Sequence, residues 1–249
     1  MGKKFITYNG TIVGDSGLSL LSIETETYSN LYSVDLDGTN DYLQTVNTFN
    51  TLDNEDTWVI SSWVKFNSLV AEPLFYLSTG TGIFFTWVRS NGVIDTSYPN
   101  GSSYSRSTTQ LQVGDWNHVC IRLFPTGNRY SKFQIWVNGV EGDTSNYFGA
   151  NDFGTSSGKL YVGWNNSTGY GELNVDELAV FIGDVSPLDI YNQNNGIPGD
   201  LNEFSTTPSN WWRMGDNNDG TGTTITDQGS NGNDITLING ATFVTDVPT

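Results

Sequence analysis

The chain has 249 residues, a formal net charge of −17, 13% aromatic residues and a single cysteine, Cys120. A chain of this length can bury a core without disulfides, and one cysteine excludes an internal disulfide. The acidic excess repels phosphate backbones, and Lys3-Lys4 is the only basic cluster, so we expect no nucleic-acid partner. No stretch approaches the roughly 20 apolar residues that span a bilayer, so we expect no membrane insertion.

The first thirty residues predict a strand-rich segment. Residues 1–8 carry a basic pair without an apolar signal region, which predicts synthesis in a cytoplasm or a mature form of a processed protein. Residues 5–13 read as a hairpin turning at Asn9-Gly10, because Asn-Gly suits turns with positive φ. Residues 1–30 form either a plain extra hairpin or an arm that docks on a partner by strand addition.

The middle of the chain predicts short strands separated by turns. Asn-Gly pairs mark hairpins at residues 89–93 and 137–140, and Phe133, Ile135 and Val137 share one face by alternation. Residues 57–66 and 175–181 are apolar on both faces, as inner strands of layered sheets are. Such a pattern predicts an all-β sandwich or jelly roll.

In the strand over residues 175–181, alternation puts Val175, Ala179 and Phe181 on one face and Asp176, Leu178 and Val180 on the other. A short helix follows this strand. Ser186 is its predicted N-cap, Pro187 its first residue and Gly196 its stop.

Five phrases carry a resemblance to a known family. They are VDLDGTNDYL at residues 34–43, WNHV at 116–119, IWVNGV at 135–140, VDELAVF at 175–181, and the C-terminal WWRMGD to NGATFV over residues 211–244. Together they resemble a laminin-G-like domain of the concanavalin A-like jelly-roll superfamily. In that family the fifth phrase normally precedes the first.

The resemblance implies an all-β concanavalin A-like jelly-roll β-sandwich with one short helix, its opening strands permuted to the C-terminus. We therefore expect residues 31–249 to form one domain, with residues 197–249 as its closing strands. A separate small C-terminal domain is the weaker alternative, because about 40 residues rarely hold a core without disulfides or metals. The order of the phrases is similar to that in structural proteins of tailed, particularly marine, bacteriophages.

The resemblance also implies one structural Ca²⁺. Related jelly rolls bind it with an aspartate of the strand that Asp176 occupies here, together with oxygens of the turn that matches Asp37 and Gly38. Hard oxygen ligands suit Ca²⁺, and a carboxylate on an apolar face needs a partner. The alternative is that Asp176 accepts backbone N–H groups.

Glycan recognition requires exposed aromatic rings flanked by polar groups. Trp87 and Trp164 lie close to polar turns, and alternation points Trp136 towards Gln134 and Asn138. These three tryptophans are the candidate carbohydrate platforms, although tryptophan in a sandwich more often packs in the core.

We expect no enzymatic activity. Glu172 and Glu177 have the spacing of the two catalytic glutamates in related β-glucanases, but Asn174 replaces the aspartate between them. A catalytic pair of Cys120 with His118 is not expected either, on the view that these neighbouring strand residues point to opposite faces.

The resemblance thus implies a virion structural protein of a tailed phage, such as a capsid decoration or a head or tail fibre component, with weak glycan adhesion. Its expected partners are other capsid or tail proteins, contacted through residues 1–30, and further copies of itself as a homo-oligomer. Its expected location is the virion surface after assembly in the host cytoplasm, or otherwise extracellular. A free carbohydrate-binding lectin or adhesin is the alternative, and a β-glucanase is a third.

Overall fold

The computed structural model describes residues 28–49, 52, 56–70, 72–79, 82–98, 103–127, 130–145, 148–149, 156–167 and 169–249. Within residues 1–27 it describes the backbone of three short antiparallel strands, β1 (Ile6–Tyr8), β2 (Thr11–Val13) and β3 (Leu21–Ser22). Ile6 pairs with Val13, which confirms the predicted N-terminal hairpin. Asn9 and Gly10 of its turn lie outside the described residues.

Among the described residues, the other strands form two antiparallel sheets, here called the eight-stranded and the nine-stranded sheet. The eight-stranded sheet contains β5 (Tyr42–Thr45), β7 (Pro73–Thr79), β8 (Ile83–Val88), β9 (Ile94–Tyr98), β10 (Ser103–Arg106), β15 (Ser156–Val162), β18 (Thr224–Ile225) and β19 (Ile235–Ile238). Its strand order is β10-β9-β8-β7-β15-β5-β19-β18.

The nine-stranded sheet contains β4 (Ser33–Asp37), β6 (Trp58–Phe66), β11 (Trp116–Gly127), β12 (Tyr130–Val137), β13 (Val140–Thr144), β14 (Phe148–Gly149), β16 (Glu172–Ile182), β17 (Asn210–Trp212) and β20 (Thr242–Val244). Its main order is β13-β12-β11-β6-β16-β4-β20, with β14 paired to β12 and β17 to β16. The two sheets enclose one large hydrophobic core, so the predicted β-sandwich is confirmed.

The C-terminal strands belong to both sheets. Leu237 of β19 pairs with Leu43 of β5, and Phe243 of β20 pairs with Val34 of β4. Trp212 of β17 is fully buried in the core between the sheets. The division of the chain into residues 1–30 and 31–249 stays a prediction.

A second, smaller hydrophobic cluster covers the outer face of the nine-stranded sheet. Its buried members are Val59, Cys120, Ala179, Phe181, Val185, Ile190, Leu201 and Trp211. The predicted helix, α1 (Pro187–Asn192), and a 3₁₀ turn at Leu201–Glu203 provide part of this cover. Ser186 caps α1 by accepting the N–H of Asp189, as predicted. In the part of the chain that the structure describes, no helix has the length and apolar character to cross a membrane.

A β-bulge in β16 corrects the predicted alternation of that strand. Val175 lies in the main core with Leu178 and Val180, whereas alternation predicted that it shares a face with Ala179 and Phe181. The pairing register with β6 shifts between Asp176 and Ala179, and Glu177 adopts φ +46°. An extra residue in one strand reverses the alternation beyond it. Asp176 pairs with Trp63 and therefore does not share the inner face of Leu178 and Val180.

Gly92 closes the predicted hairpin between β8 and β9. Its φ is +78°, and a Cβ at this position would lie 2.3 Å from the carbonyl oxygen of Leu111. We expect Gly92→Ala to lower the free energy of unfolding by about 2–4 kcal/mol, combining left-handed strain with overpacking. Gly114→Ala is the matched control, because its φ is +83° and no atom lies within 4 Å. Urea unfolding measures both, and equal losses would show that the Leu111 contact does not matter.

Candidate functional site

A line of aromatic side chains crosses the outer face of the eight-stranded sheet. Strand pairing aligns Tyr104 with Ser97, Ser97 with Phe85, Phe85 with Tyr76, and Tyr76 with Tyr161. Directly paired residues point to the same face of a sheet. The line runs over β10, β9, β8, β7 and β15, and Tyr42 of the adjoining β5 extends it to five strand spacings, or about 24 Å.

Further rings join this line at both ends, and we call the whole set the aromatic row. It consists of Tyr42, Tyr76, Phe85, Trp87, Tyr104, Tyr161, Trp164 and Tyr170. Each ring lies within 6.4 Å, centroid to centroid, of another member. Three pairs are stacked: Phe85 with Trp87 at 15° between planes, Trp164 with Tyr170 at 13°, and Tyr42 with Trp164 at 26°. Stacked neighbours present their faces in similar directions, which suits the flat face of a sugar ring.

A cleft of about 330 Å³ opens over part of the row. Its walls are Tyr76, Ile83, Phe85, Trp87, Ser97, Tyr104 and Asn165. The rings over the cleft are partly exposed, with Tyr104 at 42%, except that of Tyr76, which is buried at 7%. A mainly apolar cleft with a few hydroxyl and amide groups has the composition of a small-molecule site.

A tight loop fixes Trp164 and Tyr170 at one end of the row. The two residues form an isolated antiparallel bridge, and the Asn165 side chain accepts the N–H groups of Ser167 and Gly169, each at 3.0 Å. Asn166 donates from Nδ2 to the Tyr76 hydroxyl at 3.4 Å. The loop therefore adds two amide side chains beside the rings.

The other end of the cleft carries an ionic cluster. Asp95 of β9 is fully buried and accepts from the Nε of Arg89, at 2.5 Å, and from the Nε of Arg106, at 3.1 Å. Asp95 pairs with Trp87 on one side and with Arg106 on the other, so all three side chains share the outer face. Hydrogen bonding to Asp95 raises the pKa of Arg89, which keeps its charge fixed.

Two of the three predicted carbohydrate platforms lie in the row. Both Trp87, on β8, and Trp164, just after β15, are members, two strand positions apart across the sheet. Trp136 pairs with Cys120 and packs against the cluster on the outer face of the nine-stranded sheet. The structure therefore does not bring Trp136 to the other two. Sequence reasoning missed the tyrosines and Phe85, although alternation along β8 places Phe85 beside Trp87.

The residues named for calcium lie apart. Asp37 pairs with Glu172 of β16. Asp176 lies four residues further along β16, so the backbones of Asp37 and Asp176 are about 13 Å apart. The oxygens around one Ca²⁺ lie within about 5 Å of each other. Asp176 accepts from Asn30 Nδ2 and from the N–H of Glu177, each at 2.8 Å, while the N–H of Thr39, beside Gly38, donates to Asp37. Asp176, Asp37 and Gly38 therefore do not fit one shared ion.

Within the described part of the chain, no other cluster of His, Cys, Asp or Glu takes the place of these ligands. Among the residues that the structure describes, no group of three or more His, Cys, Asp or Glu side chains could hold a metal ion. Calcium binding stays a prediction of the family resemblance.

The bulge in β16 supports a buried ionic network instead. Glu177 is 4% exposed and accepts from Trp211 Nε1 at 2.5 Å and from Arg213 Nε at 3.2 Å. Arg213 also binds Asp216 at 2.9 Å, and its guanidinium lies 4.6 Å from the ring of Tyr28, whose hydroxyl donates to Glu177. The network ties residues 28–32 to the C-terminal strands.

Burial dominates the protonation of this network. It raises the pKa of Glu177 to about 7, against the opposing effect of Arg213. Burial, together with the nearby Glu177 charge, also raises the pKa of Asp176. The pKa of Asp216 is raised by burial as well, against the N–H groups of Leu31 and Tyr32 that it accepts.

The β-glucanase pair is not assembled into an open site. Glu172 is exposed at the start of β16, whereas Glu177 is held in the buried network. The cavity beside Glu177 holds only about 10 Å³. The two glutamates therefore do not share an open cleft in which a glycosidic bond could lie between them.

The expected orientation of Cys120 and His118 is wrong. The Sγ of Cys120 lies 3.7 Å from Nε2 of His118, because residues two apart in a strand share a face. His118 also bonds Ser61 Oγ at 2.8 Å. Burial lowers the pKa of His118 to about 3 and raises that of Cys120 to about 12. Both groups are buried, and burial favours the neutral form of each.

Comparisons with solved structures find the same fold. The chain is similar to a Bacteroides ovatus protein provisionally described as carbohydrate binding, with 18% identity over 96% of this chain and 68% of that one, and a TM-score of 0.62. It is also similar to a heptameric SAP-like pentraxin from Limulus polyphemus, with 14% identity over 67% of this chain and 82% of that one, and a TM-score of 0.52. No curated protein sequence matches the chain.

The family comparison matches more than half of the chain. Residues 37–193 fit the laminin G profile described as the concanavalin A-like lectin/glucanases superfamily. This stretch contains every strand that contributes a ring to the aromatic row. The chain therefore belongs to the laminin-G-like family of the concanavalin A-like lectin/glucanases superfamily.

Proposed function

We propose that the protein is a non-enzymatic carbohydrate-binding protein whose glycan lies along the aromatic row. The observation that carries the proposal is the alignment of rings from five strands, β10, β8, β7, β15 and β5, on the outer face of the eight-stranded sheet. Large aromatic surfaces left at the outside of a sheet mark binding sites. The core needs none of these rings, because the inner faces of the same strands already fill it.

The length of the row points to an extended ligand. A row of about 24 Å exceeds a single sugar ring, so the ligand is an oligosaccharide running across the strands. The cleft between Tyr76 and Tyr104 holds its best-enclosed part, where Ser97 and Asn165 supply hydroxyl and amide groups. The similarity to a protein described as carbohydrate binding supports the same class of ligand.

Replacing tryptophans in the row tests the proposal. We expect Trp87→Ala and Trp164→Ala each to weaken glycan binding at least tenfold, about 1.4 kcal/mol, because each removes a stacking face. Trp136→Phe is the matched control on the opposite sheet and should bind like the wild type. A glycan array finds the ligand, and calorimetry measures the affinities. If Trp136→Phe lost glycan binding while Trp87→Ala and Trp164→Ala kept it, the glycan site would lie on the nine-stranded sheet instead.

We further propose the particle-bound role that the order of the sequence phrases suggests, with the glycan site used for adhesion at a virion surface. In support, β1, β2 and β3 form a small sheet apart from the two sheets of the sandwich. Cryo-electron microscopy of particles from the source organism tests it. Density for this fold on a capsid or tail supports the role, and its absence from all particles favours a free lectin.

A further inference from the structure

The ionic cluster beside the cleft holds one more positive charge than it needs. Asp95 is a single buried carboxylate, yet it binds both Arg89 and Arg106. One guanidinium already neutralises one carboxylate, so the cluster keeps a net charge of about +1. The chain has only 10 basic residues against 27 acidic ones, and two of the ten meet here.

Both guanidiniums also face solvent. The side chains of Arg89 and Arg106 are 41% and 51% exposed, whereas that of Asp95 is 0% exposed. Each guanidinium has five N–H donors in a planar fork, and Asp95 takes only some of them. The outward part of each fork is therefore placed to bind an anionic group with two oxygens in reach, such as a carboxylate or a sulfate.

The cluster adjoins the cleft at a fixed position. Arg106 lies two residues after Tyr104 on β10, and Asp95 lies two residues before Ser97 on the antiparallel strand β9. Arg106 and Asp95 therefore share the outer face with these two cleft residues and lie next to them along the strands. The offset is about 7 Å, the length of two residues in a strand. A group on a sugar ring stacked on Trp87 would thus meet the two arginines.

We propose that the cleft selects acidic oligosaccharides, with Arg89 and Arg106 binding a carboxylate or sulfate group on a sugar that stacks on Trp87. This inference rests on the proposed carbohydrate-binding function and adds the class of glycan. The negative charge of the rest of the protein repels anions in general. Selection therefore depends on an acidic group placed at this one cluster.

Matched pairs of glycans test the inference. One pair is an oligogalacturonate and its methyl ester, which share a backbone and differ in charge. The second is a sulfated galactan oligosaccharide and its desulfated form, which separates sulfate from carboxylate. At low salt we expect one acidic form to bind at least tenfold more tightly than its neutral partner, and the preference to shrink as salt rises.

Variants assign the preference to the cluster. Arg106→Gln should weaken binding of the acidic form about tenfold and leave the affinity for the neutral form unchanged. Asp95 keeps Arg89 as its partner in this variant. Arg106→Lys, which keeps the charge, should retain part of the preference. Arg122→Gln is the control, because Arg122 pairs with Asp184 on the nine-stranded sheet. Trp87→Ala should weaken both forms equally.

The two proposals fail in different ways. Binding of neutral glycans along the row, with no preference for acidic forms and no effect of Arg106→Gln, would overturn the acidic selectivity and leave carbohydrate binding intact. A preference for acidic forms that Arg106→Gln does not reduce would also overturn it. No binding of any glycan, neutral or acidic, by the folded protein would overturn the proposed function itself and this inference with it.

Discussion

Arg213→Met lowers the free energy of unfolding by about 3–5 kcal/mol at pH 8, the expected cost of removing one partner of a buried ionic network. Arg213 is 14% exposed and bonds both Glu177 and Asp216, so its loss leaves two buried carboxylates without their cation. The contact with the Tyr28 ring is lost as well. Urea unfolding measures the change, and the melting temperature should fall by roughly 6–20 °C.

The control for this prediction is Arg122→Met. Arg122 bonds Asp184, whose side chain is 75% exposed, and exposed pairs contribute less than about 1 kcal/mol. The loss in Arg213→Met should also be smaller at pH 5, because the pKa of Glu177 is about 7 and a protonated Glu177 no longer needs a cation. A loss in Arg213→Met as small as in Arg122→Met would contradict the network as a source of stability.

Stability should fall as the pH rises from about 4.5 to about 7. Burial raises the pKa of Glu177 from 4.5 to about 7, so within this window the folded state binds a proton that the unfolded state has released. The contribution is complete below the unfolded pKa and is lost as the pH passes the folded pKa. At 1.36 kcal/mol per pKa unit, Glu177 accounts for about 3 kcal/mol. The raised pKa values of Asp176 and Asp216 act in the same direction.

Glu177→Gln isolates this contribution. The variant has no titrating group at residue 177, so its unfolding free energy should change less between pH 5 and pH 8 than that of the wild type. Glu172→Gln, an exposed position on the same strand, should retain the wild-type pH dependence. Urea titrations at several pH values give both profiles. Parallel profiles for the wild type and Glu177→Gln would show that Glu177 does not carry the effect.

Much of the fold could be predicted because its signals are local. Asn138 and Gly139 adopt φ of +50° and +73°, a conformation that Asn tolerates and that Gly, without a Cβ, adopts freely, and the hairpin of β12 and β13 follows from it. The cap at Ser186 and the proline after it define the start of α1 within a few residues of chain. Strict alternation placed Phe133, Ile135 and Val137 in the core. Trp87 and Trp164 were found because each adjoins a polar turn.

The bulge and the site depended on which strands lie side by side. Glu177 is an extra residue only in its pairing with β6, where two residues of β16 face one of β6. Its φ is +46°, and its carboxylate is bound by Trp211 and Arg213, which come from a distant part of the chain. No periodicity within β16 signals it, so the face assigned to Asp176 was wrong.

Outside the bulged strand β16, the amino-acid sequence by itself determined the strands named above, their turns and the faces they bury, since these depend on neighbours within a few residues. Only the tertiary structure decided that β15 lies between β7 and β5, which brings Tyr161 next to Tyr76 and completes the aromatic row. Likewise, only the pairing of β8, β9 and β10 placed Arg106 beside Asp95 and Trp87. The reason is physical: alternation sets the face of a side chain along its own strand, whereas its lateral neighbours are set by long-range pairing that each strand alone does not specify.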